Sequence, residues 1–342
     1  MMKKNILLAI IAAVVALAAV YFLSTNKSSS EDLSDFSIED TESVTKIFMA
    51  DQHQNQITVV KQPNGKWIVN NEFFVRPDAI EIVLTTLKNI RIKRPTSIAE
   101  RETIFKHIAS NSVKVEIYQQ DELVKVCYVG SATKESKGTF MLLSDPETGK
   151  NAKYPYVVNL PGFIGNVKSR FFTDINKWRD VSVFDYPIGT LKQVKIDYPS
   201  KENGSFTINI DKGKYEIRTR ANELIKDIDP STVKDYLNLY SHTAMEGFIN
   251  FMEIADSTMA SNPYFQITAA DVNGDITVLK AHQIYSRDYE SDDPKATRLD
   301  LDRMYGTLTK NGRSDFILIQ YFTFDNLTVT TSKFTGDSIV DK

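Results

Sequence analysis

The chain has 342 residues, 42% hydrophobic and 25% charged, which is room for about two domains and enough apolar side chain to bury a core. Its formal net charge of −3 lacks the basic footprint of a nucleic-acid binder, so no nucleic acid is expected as a partner. One cysteine, Cys127, excludes an intramolecular disulfide and a cysteine-based zinc site.

Residues 1–4 carry Lys3 and Lys4 and read as a cytoplasmic tip. Residues 5–23 follow without a charge, and 11 of these 19 are Leu, Ile, Val or Phe. As a helix the run would be about 28 Å long, close to a bilayer core of about 30 Å. It predicts a transmembrane anchor with the lysines inside and the body outside the cytoplasm. The rival reading is a cleaved signal peptide, since Ala16-Leu17-Ala18 has the small-x-small form. The apolar run continues past it through Val20, Tyr21, Phe22 and Leu23, which favours the anchor. The expected location is the inner (cytoplasmic) membrane, single-pass, with a periplasmic or otherwise extracytoplasmic body. Residues 24–43 are rich in Ser and acid and read as a flexible tether, with order resuming where Phe36 and Ile38 alternate with polar residues.

A repeat begins next. QITVVKQPNGKWIVN reads as two short strands around a Pro-Asn-Gly turn, and SFTINIDKGKYEIRT as the same around Asp-Lys-Gly. Gly65 and Gly213 permit the two turns, and the aromatics Trp67 and Tyr215 stand 148 positions apart. After each hairpin a proline opens a helix. Pro77 leads Ile80, Val83, Leu84 and Leu87, while Pro230, with Asp229 as N-cap, leads Val233, Tyr236, Leu237 and Tyr240. SIAERETIFKHIAS adds a capped helix to the first copy, with Ser97 and Glu100 as a capping box. Alternating hairpins close both copies, the second through the strong Asn273-Gly274 turn. The spacing predicts an α+β chain: an N-terminal transmembrane helix plus two tandem repeats of β-hairpin, helix and antiparallel strands. The first repeat is placed at 44–172, an aromatic-rich joint at 173–190, the second repeat at 191–330 and a C-terminal tail at 331–342.

The segments Gly65-Lys66-Trp67-Ile68-Val69, Pro77-Asp78-Ala79 and the Val83-Leu84-Leu87 helix resemble the domain-of-unknown-function family 4340 in its membrane-anchored, two-copy form. Trp178-Arg179-Asp180 is similar to the joint between that family's copies. The likeness spans roughly residues 40 to 330. The chain departs from the pattern by writing Pro-Asp-Ala for Pro-Ala-Asp and by replacing the second tryptophan with Tyr215. The resemblance implies a membrane-anchored protein encoded beside ABC transporters of the gliding-auxiliary type, and it implies no activity.

Chemical motifs are absent from the sequence: no phosphate-binding glycine loop, dinucleotide fingerprint, His-Glu-x-x-His or Gly-x-Ser-x-Gly is present. His53, His107, His242 and His282 are scattered, with His107 read as solvated and Cys127 as a buried strand thiol. DVNGD at 271–275 starts like a calcium loop, but its glycine falls too early and no glutamate closes it, so a hairpin turn is expected. The acids Asp288, Glu290, Asp292 and Asp293 read as a solvated loop. No catalytic, cofactor or metal residue is assigned. Gly65, Trp67, Pro77, Gly213, Tyr215 and Pro230 are assigned a structural role. The expected function is that of a non-enzymatic accessory or scaffold protein of an ABC-type transport complex, contacting permease subunits. The alternatives are an envelope ligand- or glycan-binding module and, behind it, a hydrolase.

Overall fold

The computed structural model describes residues 33–201 and 204–335. The chain divides into two compact units at Asp180/Val181. In unit 1 the elements run β1 (Val44–Ala50), β2 (Gln56–Lys61), β3 (Trp67–Val69), β4 (Phe73–Phe74), α1 (Pro77–Asn89), β5 (Arg91–Pro95), α2 (Ile98–Ser110), β6 (Val113–Gln119), β7 (Glu122–Ala132), β8 (Thr139–Ser144) and β9 (Tyr156–Asn159). They form a nine-stranded sheet, antiparallel at every pairing, in the order β4-β3-β2-β1-β6-β7-β8-β9-β5.

Unit 2 holds β10 (Ser182–Phe184), β11 (Leu191–Asp197), β12 (Phe206–Asp211), β13 (Lys214–Thr219), α3 (Pro230–Asn238), β14 (Thr243–Ala244), β15 (Gly247–Phe248), α4 (Ala255–Met259), β16 (Phe265–Asp271), β17 (Ile276–Arg287), β18 (Thr297–Lys310), β19 (Arg313–Gln320) and α5 (Tyr321–Phe324). Its main sheet has eight strands in the order β13-β12-β11-β16-β17-β18-β19-β15. Leaving aside β4, the two orders correspond strand for strand.

The expected α+β class is corrected by this architecture. Antiparallel sheet carries both units, and the helices are short covers rather than half of a repeating α+β unit. Strands as long as β17 and β18, at 12 and 14 residues, take up the alternating sequence, whereas α3 and α4 have only nine and five. No described helix is long and apolar enough to cross a membrane. The predicted span at 5–23, the tip at 1–4 and most of the C-terminal tail lie outside the described residues.

Alternation decides which face of each sheet is buried. In β6, Val113, Val115 and Ile117 are buried while Lys114, Glu116 and Tyr118 occupy the opposite face. On that face Lys114 Nζ pairs with Glu116 at 2.6 Å, and the Tyr118 hydroxyl donates to Glu116 at 2.7 Å. α1 covers the apolar face with Ala79, Ile80, Val83 and Leu87, one stripe of a 3.6-residue period. Burying each of its larger aliphatic side chains contributes about 1.5–3 kcal/mol. Pro77 occupies its first turn, where a missing N–H costs nothing, and no side chain caps it. α3 begins with the same proline logic, but Asp229 also accepts from the amides of Ser231 and Thr232. Phe36 and Ile38, in the stretch read as a tether, are buried in the unit 1 core, and the Ile38 amide donates to the Leu87 carbonyl.

The two hairpin glycines sit where a side chain is disfavoured. Gly65 has φ +82° and Gly213 φ +79°, both in open space, so the backbone conformation alone selects glycine.

Candidate functional site

The sheet order of unit 1 places β5 on an edge beside β9, two strands from the β7–β8 turn. β5 reads Arg-Ile-Lys-Arg-Pro and is exposed along its whole length. Helix α2 comes directly after it. Its N-cap Ser97 accepts from the Glu100 amide, and the Ser97 hydroxyl donates to Glu100 Oε2 at 2.6 Å. Together β5, α2 and the turn at 133–138 enclose a groove of about 620 Å³, within the usual size range of ligand pockets.

The turn reaches this position because residue 138 is glycine. A Cβ there would lie 2.6 Å from Val157 Cγ1 and 3.0 Å from the Val158 carbonyl oxygen. The turn closes through the Thr133 amide to the Gly138 carbonyl at 2.8 Å. It lifts Lys134 and Lys137 to one rim while Lys93 and Arg94 form the other. Lys93 Nζ extends to within 3.5 Å of the Lys137 carbonyl oxygen, which joins the rims. The floor is apolar: Ile104 and Val157 are buried and Phe140 half-buried.

Four cations face two carboxylates in this groove. Arg94 directs both terminal nitrogens to Glu100 Oε1 at 3.3 Å. The Ser97 hydroxyl holds the Glu100 carboxyl below its ordinary pKa, desolvation opposes it, and Arg94 adds a smaller lowering. Lys137 meets Glu135 at 3.6 Å, with both side chains mostly in water, so that pair contributes little. Lys93 and Lys134 form no ion pair with a described carboxylate. The groove is therefore cationic over an apolar base.

A second cleft of unit 1, of about 480 Å³, is polar. Asp51 there accepts from Thr173 Oγ1 at 2.6 Å and Asn55 Nδ2 at 2.9 Å. Desolvation pushes its pKa up, but these bonds and the amides of His53 and Asn55 outweigh it and hold the carboxyl at about 2. Lys168 is tied to the carbonyl and side-chain oxygens of Asn111 at 3.0 and 2.7 Å. Desolvation lowers its pKa, opposed by the charge of Asp51.

In unit 2 a cleft of about 740 Å³ lies along β12 and β13. Tyr215 lines it, half-buried, with Leu224, Ile225 and Ile228 beside the polar Gln193, Asn209 and Glu216. Trp67, by contrast, is 9% exposed and belongs to the unit 1 core. Pro77 and Pro230 stand at their helix starts and line none of these three clefts.

The remaining sequence candidates are dispersed. Cys127 is buried, and desolvation pushes its thiol up to about 12, so it is not a thiolate at neutral pH. His107 stands on the groove wall and His53 in the polar cleft. His282 is buried in β17, with Nδ1 3.1 Å from Ser261 Oγ, while the Ser261 hydroxyl also lies 2.8 Å from the Thr258 carbonyl oxygen. That serine is anchored to its own turn. Asp271 Oδ1 accepts the amides of Asn273 and Asp275 at 2.9 Å each, so the calcium-like segment is an Asx-stabilised hairpin turn. Among the described residues no group of three or more His, Cys, Asp or Glu is arranged to hold a metal ion.

Sequence reasoning assigned neither Lys93 nor Lys134. A signal existed in the basic run at 91–94 and the Lys-Glu-Ser-Lys turn, but only the strand order brings them together. No family model, no curated protein and no solved structure matches the chain.

Proposed function

We propose that the chain is a non-enzymatic accessory protein held at the outer face of the cytoplasmic membrane by its N-terminal apolar run, serving an ABC-type transport complex through contacts with permease subunits. The observation that carries the binding role is the groove of unit 1, a concave cationic surface built on sheet edge, helix and turn. A preformed groove on regular elements suits recognition because its contacts need little ordering on binding. The permease as partner rests on the resemblance of the hairpin–Pro–helix pattern to family 4340. Attachment near the membrane raises the effective concentration of the body at other membrane proteins.

The test is chemical crosslinking in membranes followed by detergent capture of the tagged full-length chain. Recovery of a permease subunit supports the reading, and it should survive replacement of residues 5–23 by an unrelated membrane-spanning segment. Absence of any transport component, or loss of capture on that replacement alone, contradicts it. A C-terminal alkaline phosphatase fusion that is inactive would contradict the extracytoplasmic placement.

A second reading, an envelope glycan-binding module, is favoured by the cleft of unit 2. A half-buried tyrosine beside amide and carboxylate side chains offers a sugar both a stacking face and hydrogen bonds. Retention on immobilised envelope polysaccharide that disappears in Tyr215→Ala would support this alternative over the first.

A further inference from the structure

We infer that the groove of unit 1 binds an organic phosphate with an apolar body, the phosphate among Lys93, Lys134 and Lys137 and the apolar part on Phe140 and Ile104. This assignment stands apart from the identity of any protein partner. Three observations carry it. The first is charge: cations exceed carboxylates on the lining, and neither Lys93 nor Lys134 has a described carboxylate partner. The second is the type of cation. A planar carboxylate is best met by the two-pronged guanidinium, but Arg94 already turns both prongs to Glu100 at 3.3 Å. Lysine ammoniums are point charges with rotatable donors and can gather around a tetrahedral phosphate from several sides. The third is the floor, where Ile104 and Phe140 offer an apolar surface that a free inorganic ion would leave uncovered.

The source of such a group is either a lipid headgroup or a soluble metabolite, and the chemistry at the lysines is shared. The test is calorimetric titration of the full-length protein in a neutral detergent with octyl phosphate, phenyl phosphate, inorganic phosphate and octanoate. Octyl phosphate is expected to bind at least about tenfold more tightly than inorganic phosphate or octanoate, and to weaken as ionic strength rises. The triple variant Lys93→Gln, Lys134→Gln, Lys137→Gln should lose at least about tenfold in affinity. All three side chains are exposed, and an unchanged thermal melt would show that the variant is folded. Preference for octyl phosphate over phenyl phosphate would indicate a lipid source, and equal binding a soluble one. Failure of every phosphate ester to bind, equal binding of octanoate, or equal affinity in the folded triple variant would overturn the inference.

Discussion

The two units share a strand order and diverge after their first helix. In unit 1, α1 leads into the five-residue basic strand β5 and the 13-residue helix α2. In unit 2, α3 leads to strands of two residues and to α4, of five residues. The shared part is the sheet, whose alternation leaves little choice of register because a one-residue slip would expose an entire apolar face. The variable part is the crossover at its edge, and in unit 1 that crossover builds a groove. A common scaffold has thus been furnished differently, and the residues to examine for function lie where the units diverge.

The largest expected contrast lies in the two hairpin aromatics. Trp67→Ala removes a buried core ring and is expected to cost unit 1 about 3–5 kcal/mol. Tyr215→Ala removes a half-exposed ring and is expected to cost unit 2 about 1–2 kcal/mol. Denaturant titration can read the units separately, because both tryptophans, Trp67 and Trp178, lie in unit 1. Hydrogen exchange by mass spectrometry reports unit 2. Equal costs would remove the distinction between a core aromatic and a cleft aromatic.

A middle-sized effect is expected from a network found in unit 2. The Tyr236 hydroxyl meets the Tyr240 hydroxyl at 2.9 Å and donates to the Leu327 carbonyl at 2.9 Å, all buried. Tyr236→Phe keeps the packing and strands those partners, at about 1–3 kcal/mol. Exchange protection of unit 2 should fall while tryptophan fluorescence melts unchanged.

The hairpin glycines should behave alike, which sharpens the comparison from the other side. Gly65→Ala and Gly213→Ala meet no neighbour within 4 Å, so each should cost only the positive-φ strain, about 1 kcal/mol. A much larger cost at one of them would mean that the two turns are not equivalent.

The smallest contrast is in acid. Burial, followed by the nearby Lys280, lowers the His282 pKa below its ordinary value of 6.5. Its folded state therefore favours the neutral ring. The stability it contributes to unit 2 is fully present above pH 6.5 and is lost as pH falls from there towards the folded pKa. Asp51 works in the same direction at lower pH: its contribution to unit 1 is complete above 3.8 and is lost as pH falls towards about 2. Exchange measured between pH 7 and pH 5 should show unit 2 weakening before unit 1.

Much of the scaffold was legible because short-range chemistry encodes it. The turns at Gly65 and Gly213, the proline helix starts and the Ser97 cap are all set by local sequence. The class was misjudged because helical periodicity over short segments such as 230–238 was given the same weight as the alternation of β17 and β18. Burial is a tertiary property, so the Gly-Lys-aromatic pattern could not separate Trp67 in a core from Tyr215 at a cleft. The groove was least legible. Lys93 and Lys134 are 41 positions apart, and only the placement of β5 beyond β9 brings them to one surface.

The central claim is that binding is located at the groove of unit 1 rather than at the divergent crossover of unit 2. A photo-crosslinking residue placed at Lys134, on the groove rim, and at Ser257, on the exposed surface of α4, tests it most directly in intact membranes. Adducts are expected from position 134 and not from position 257, and the position-134 adduct should be lost when Lys93 and Lys137 are both changed to Gln. Adducts from position 257 alone, or equally from both positions, would contradict the claim.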